Sequence, residues 1–368
     1  VSNLIYNQWY FNENNKIREF ILWEILKDTG AKRHSTDFIL VGGKYDLVTR
    51  FYKIANYRFL IGQIKERFVD KPLSPDWHLF RSVANMKFVN DGEPVDLKQN
   101  FNEQIFGFDI IFDIDNKHFK KWWKQTNDLS HPDILKVIND NLTIVKYETG
   151  LIKEVLDKYK VPYILNFSGT GFRICIEWED IKGYFVIDDF GNLSNDFIKW
   201  VLGQVKCSIC KGNGKFLDAN KENPSGATGI FIECLSCDRG NYQFKCFGEM
   251  QSGYCLTRVL FSIHPISKCI ALPLTDAQFD AFSLDMVNPY NVLKTIPNLP
   301  KSSKSLNKKR EGDFKVIFEA FKKDVPINKY ITEKKEKETL KYENIKNQIS
   351  ELMMQLPKEE LEWEKKAR

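Results

Sequence analysis

Two aspartates set two residues apart close an apolar run. Residues 108–115 read F-D-I-I-F-D-I-D and end on Asp113 and Asp115. In a strand, side chains at i and i+2 point to one face. Ile111, Asp113 and Asp115 are therefore expected on one face, with Ile110, Phe112 and Ile114 packed behind it. Two carboxylates side by side at the end of a buried strand repel each other and lose hydration. A divalent cation is the usual compensation, because hard cations such as magnesium take carboxylate oxygens. The pattern equally allows a strand end that runs into a loop with both aspartates solvated, since D-x-D is common.

The eight cysteines supply a second kind of chemistry. Four of them form two C-x-x-C pairs, Cys207/Cys210 and Cys234/Cys237. Four thiolates in two knuckles suffice for a closed tetrahedral zinc site, and a site with no open position is structural rather than catalytic. The glycines after Cys210 suit the backbone turn such a knuckle needs. The competing reading is four unrelated buried cysteines. Cys175, Cys246, Cys255 and Cys269 sit in apolar runs and read as core residues. With no secretory pattern at its start, the chain is expected in a reducing, intracellular compartment, cytoplasmic or nuclear.

Two further stretches carry polar groups with a chemical use. In Ser168-Gly169-Thr170-Gly171-Phe172-Arg173 the small residues let backbone amides approach an anion, and Arg173 adds charge. A plain β-turn fits the same residues. Further on, Arg258 precedes F-S-I-H-P around His264. His264 reads as a ligand-binding or a structural histidine, and Arg258 as a phosphate contact or a surface cap.

Elements must bring these groups together. Apolar spacing predicts a helix over 7–26, a short strand over 38–41, strands near 50–52 and 57–60 carrying Arg50 and Arg58, and the strand 108–115. A Lys- and Trp-rich helical stretch follows at 119–123, then an amphipathic helix over 132–159 with Ile134, Ile138, Leu142, Val145, Leu151 and Val155 on one side. Strands are expected at 161–165 and 173–178, and an apolar strand-like run at 255–274. The order strand, helix, strand, Gly turn, strand makes an α/β (α+β) unit. Residues 204–245 read as an inserted zinc module within a core spanning 1–297. Residues 298–311 read as a basic linker, and 312–368 as a helical accessory region with helices near 314–321 and 342–356. Those helices could dock, bind an accessory subunit or grip a template. At 368 residues, 43% hydrophobic and 28% charged, the chain can build a sizeable core, and no apolar run is long enough for a membrane span. The net charge of +5 resides in residues 301–368, so the body is neutral.

Taken in order, the carboxylate strand, the S-G-x-G-F turn and the F-S-I-H-P stretch ending in P-L resemble the catalytic small subunit of the archaeo-eukaryotic primase family. Phe112–Asp115 matches its first motif, 168–173 its second and 260–273 its third. Residues 278–282 are similar to the stretch after the third motif in eukaryotic members. The resemblance implies a primase fold with an RRM-like palm sheet. It also implies template-directed nucleotidyl transfer with Mg2+ or Mn2+ on Asp113 and Asp115. Ser168, Gly169, Arg173, Arg258 and His264 would contact the triphosphate. Partners would be a single-stranded DNA template, NTPs or dNTPs, and a large primase subunit or helicase. Two departures stand out. Arg173 replaces the family's second-motif histidine, keeping charge but not proton relay near neutral pH. At the spacing of the family's third aspartate the chain has Cys246 and Phe247, which leaves Glu249 as the nearest carboxylate. The zinc pairs come after the second motif, whereas eukaryotic members place theirs before it. A non-catalytic relative that binds nucleic acid or nucleotide without turnover is the alternative.

Overall fold

The computed structural model describes residues 9–10, 17, 40–42, 78–82, 84–86, 105–126, 128, 131–185, 190–206, 215–222, 228–233, 237–238, 241–247, 256–295 and 312–325. The chain divides into two units, 1–319 and 320–368. Among the described residues no helix is long and apolar enough to cross a membrane. Among the described residues the fold is mixed α and β and every strand pairing is antiparallel, which is compatible with the α+β kind.

The strands are β1 (Leu40–Gly42), β2 (His78–Ser82), β3 (Ala84–Met86), β4 (Ile105–Phe108) and β5 (Ile110–Ile114). Helices α1 (Lys117–Thr126) and α2 (Ile134–Lys158) lead to β6 (Ile164–Phe167) and β7 (Phe172–Ile176). Next come α3 (Trp178–Ile181), α4 (Phe190–Gln204), the hairpin β8 (Lys215–Glu222) and β9 (Thr228–Glu233), and the short pair β10 (Cys237–Asp238) and β11 (Asn241–Tyr242). Then follow β12 (Leu256–Arg258), β13 (Leu272–Leu274), α5 (Asp276–Asp280), a 3-10 turn at Leu284–Val287, α6 (Pro289–Thr295) and α7 (Phe314–Asp324).

The central sheet runs β13-β6-β7-β5. An isolated bridge between Ile114 and Phe247 extends it beyond β5. Register decides its two faces. Phe112, Ile174, Leu165 and Leu274 stand in one row, and Asp113, Arg173, Asn166 and Pro273 in the next. Because successive side chains alternate, one face is apolar and the other carries the polar row. On the apolar side the rings of Phe172, Phe279 and Phe282 meet edge-on, and Lys146 of α2 lies over Phe279.

Most predicted elements form, with instructive differences. Helix α2 buries Ile134, Ile138, Leu142, Val145 and Val155, but its stripe passes through Glu148, Thr149 and Ile152 rather than Leu151. The run 255–274 is not one strand. Only its ends form strands; the middle is turns joined by a single bridge between Ile263 and Ile270, with left-handed backbone at Phe261 and Lys268 (φ 63° and 58°). Buried turns are as apolar as strands, so composition alone could not separate them. The expected helix over 7–26 is described only at residues 9–10 and 17. There Trp9 donates its indole N–H to Phe261 O and Tyr10 OH accepts from Ile263 N. The expected strands near 50–52 and 57–60, the whole linker 298–311 and the helix near 342–356 lie outside the described residues. The start of α7 docks: Phe314 and Phe318 pack with Tyr184 and Phe185.

Gly107 of β4 faces the indole of Trp178; a Cβ there would stand 2.2 Å from the ring. Trp178 is buried and its backbone N–H is held by the Asp109 carboxylate. Gly107→Ala should therefore destabilise the fold by about 1–3 kcal/mol. The measure is a lower denaturant midpoint at unchanged slope.

Candidate active site

Asp113 lies at the fourth position of β5, and Asp115 one residue beyond the strand. Both remain partly accessible, with side chains 18% and 14% exposed. Each has a cation. Arg173, directly across on β7, donates from Nε to Asp113 Oδ1 at 3.3 Å. Lys120, in the second turn of α1, pairs with Asp115 Oδ2. The electrostatic cost of placing two carboxylates together is thus offset in part within the chain itself, by one strand neighbour and one helix neighbour.

The turn between β6 and β7 closes over Asp115. Ser168 donates from both its backbone N–H and its hydroxyl to Gly171 O, at 2.8 and 3.1 Å. Its hydroxyl proton is therefore spent on the turn. A Cβ on Gly171 would stand 2.3 Å from Ile114 O and 3.3 Å from Asp115 Cα, so only glycine lets these strands approach. Gly169 has φ +111°, and a Cβ there would meet the His264 ring carbon at 2.5 Å. His264 Nδ1 accepts from the backbone N–H groups of Ile266 and Ser267 at 3.2 and 3.1 Å. That fixes the neutral ring's proton on Nε2. Three segments far apart in sequence, at 113–115, 168–173 and 264, thus meet at one place.

Behind the pair stands a buried carboxylate that sequence reasoning passed over. Glu148 of α2 is fully buried and accepts from Lys245 N, Cys246 N and the Tyr242 hydroxyl, at 2.7, 2.7 and 3.1 Å. It anchors the segment whose Cys246 carbonyl takes the Asp115 N–H at 2.8 Å. The Ile114–Phe247 bridge places Cys246 directly opposite Asp115. Burial and the Glu148 charge push the Cys246 thiol up to about 11, so it is protonated at neutral pH. The same two causes push the Tyr242 hydroxyl well up. The legible sign of Glu148 was a charge on the apolar stripe of a helix. Asn116 was legible too: an Asn just before a helix, capping it through Phe119 N and tied to Ile138 O. Lys120 and Asn166 gave no local sign. Asn166, next to Arg173 in the row, is buried, and its carbonyl oxygen has no protein partner.

The remaining predicted residues lie elsewhere. Arg258 is buried at the end of β12, in the sheet β1-β2-β12 rather than in the carboxylate sheet. Glu249, Cys207, Cys210 and Cys234 lie outside the described residues; Cys237 opens β10, where only its backbone is described. Cys175, Cys246 and Cys269 are buried thiols, as their apolar surroundings suggested.

Among the described residues no group of three or more His, Cys, Asp or Glu could hold a metal ion. Two carboxylates nevertheless fit magnesium, which commonly takes one or two from the protein and the rest from substrate phosphates and water. No family model matches the chain, and no curated protein matches it.

Asp115 carries a pH signature. Burial first, then the Asp113 charge, raises its pKa above 3.8; Lys120 and Arg173 pull the other way without cancelling the rise. A carboxyl harder to ionise in the folded chain than in the unfolded one contributes stability in acid, below its unfolded value. That contribution is lost as pH rises through the folded value. Asp115→Asn cannot ionise, so it should melt at a higher temperature than the parent at neutral pH. The difference should vanish below about pH 3.8, in a series of thermal melts across pH.

Proposed function

We propose that this chain is a template-directed nucleotidyltransferase of the primase type, joining nucleotides on single-stranded DNA. The observation that carries the reading is the meeting of Asp113 and Asp115, the 168–173 turn and His264 at one end of one sheet. The strand order adds to it. With the Phe247 bridge counted as a last strand, β5-α2-β6-β7-α4-bridge has the β-α-β-β-α-β order of a split unit, with the carboxylates on its first strand.

Asp113 and Asp115 would hold Mg2+ or Mn2+, which would supply charge for the triphosphate and activate the attacking hydroxyl. The chain's own groups do the rest. Arg173 sits beside Asp113 and neutralises phosphate charge as it develops. His264 donates from Nε2 to a phosphate oxygen. Gly169 and Gly171 keep the turn low enough for a triphosphate to pass. Lys120 releases Asp115 to take phosphate instead, which its 54% exposure permits. Arg258, from the three-stranded sheet, is the remaining phosphate contact of this reading, and Glu249 its third acid.

The cysteines are proposed to close a structural zinc site. Backbone pairing favours it: Lys215 pairs with Glu233, next to Cys234, and Lys206, next to Cys207, bridges Asn241 of the hairpin that begins at Cys237. The purified chain should hold about one zinc by atomic emission. Cys234→Ser with Cys237→Ser should lose it.

A second reading has its own observation. Cys246 occupies the place opposite Asp115, and Lys120 and Arg173 already pair with the two carboxylates. A nucleic-acid-binding relative without turnover would look the same. Incorporation of labelled nucleotides on single-stranded DNA with Mg2+ or Mn2+ separates the two. The parent should make dinucleotides or extend a supplied primer, and Asp113→Asn with Asp115→Asn should cut this more than about 100-fold with an intact fold. Synthesis retained in that double variant overturns the assignment. No synthesis by the parent favours the binding module.

A further inference from the structure

Helix α1 carries two stripes on ten residues. Lys117, Lys120, Lys121 and Lys124 recur at i, i+3, i+4 and i+7, which is one face of a helix. Phe119, Trp122 and Trp123 take the opposite face, and Phe119 and Trp123 are buried against Ile134 and Ile138. The lysine stripe works against the helix that bears it. Like charges at i, i+4 repel, no acid interleaves them, and Lys117 stands at the helix start, where the dipole disfavours a cation. Helix stability therefore does not account for the stripe.

Its position suggests what does. Lys120 of the stripe holds Asp115, while Lys117, Lys121 and Lys124 are exposed. From Lys117 to Lys124 the row runs about 10 Å along the axis, beginning at the carboxylate pair and leading away from it. A membrane surface fits poorly, because the aromatic face that would enter lipid is already packed in the fold. A row of point charges without acids matches an anion with repeated charges.

We propose that this stripe is the track on which the phosphate backbone of single-stranded nucleic acid runs past the carboxylate pair. The inference rests on the nucleic-acid reading of the same site, but it concerns binding and not turnover. Each phosphate contact on a single strand contributes about 0.7 to the slope of log affinity against log salt.

The test is fluorescence anisotropy of a labelled oligodeoxythymidylate with the full chain over a salt series. The compared variants are Lys117→Gln/Lys121→Gln/Lys124→Gln and, with equal charge removed elsewhere, Lys136→Gln/Lys158→Gln/Lys294→Gln. The first should make the salt slope shallower by about 2. The second should leave it near the parent's, and Lys117→Arg/Lys121→Arg/Lys124→Arg should restore it. Circular dichroism checks folding; if the triple variant misfolds, Lys121→Gln/Lys124→Gln should lower the slope by about 1.4. An unchanged slope in a folded stripe variant overturns the proposal. So does a parent that does not bind the oligonucleotide, or a stripe variant that loses only poly-glutamate binding. A slope that falls while the parent incorporates no nucleotide upholds the track and defeats the catalytic reading alone.

Discussion

Two carboxylates at the end of a buried strand set the terms for everything around them. Unpaired, Asp113 and Asp115 would repel each other in a site where burial already penalises charge. The chain answers with a cation from each side: Arg173 arrives because β7 pairs with β5 in one register, and Lys120 because α1 starts two residues after Asp115. A slip of one residue would turn Arg173 into the apolar layer and Phe172 or Ile174 onto the carboxylate face. Register, charge balance and the site are therefore one constraint seen three ways.

The same balance shapes what the site can do. A carboxylate pair without internal cations would hold a metal tightly at all times. Here any incoming cation or phosphate competes with Lys120 and Arg173. The exchange is favourable when an anion arrives together with the cation, since the displaced side chains then find a partner. With both oxygens committed to the 242–246 segment, Glu148 fixes the chain opposite Asp115 whatever partners the two carboxylates take.

The sequence made some of this legible and hid the rest for physical reasons. Periodicity reveals α1, α2 and the strands that alternate, because those patterns are local. D-x-D shows the pair, and S-G-T-G shows a turn. Which residue stands across from Asp113 is a matter of pairing between strands 60 positions apart in sequence, and no local pattern carries it. Lys120 lies five residues past Asp115, but Asp115 precedes the helix, so helix spacing rules do not link them. The 255–274 run misleads because buried turns and buried strands share a composition. Glu148 was visible as a charge among apolar neighbours, and its partners were not.

The hydrogen bonds from Trp9 to Phe261 and from Ile263 to Tyr10 span 252 and 253 positions. They tie residues 9 and 10 to the turns that present His264. The β6-β7 hairpin can close early, since four residues join its strands, but contacts of such long separation form late. During synthesis, Trp9 and Tyr10 must wait for residues 261–263 to leave the ribosome. Until then the carboxylates and their turn have no histidine beside them. A nascent chain that has not reached residues 261–264 therefore carries the carboxylates and their turn without the histidine.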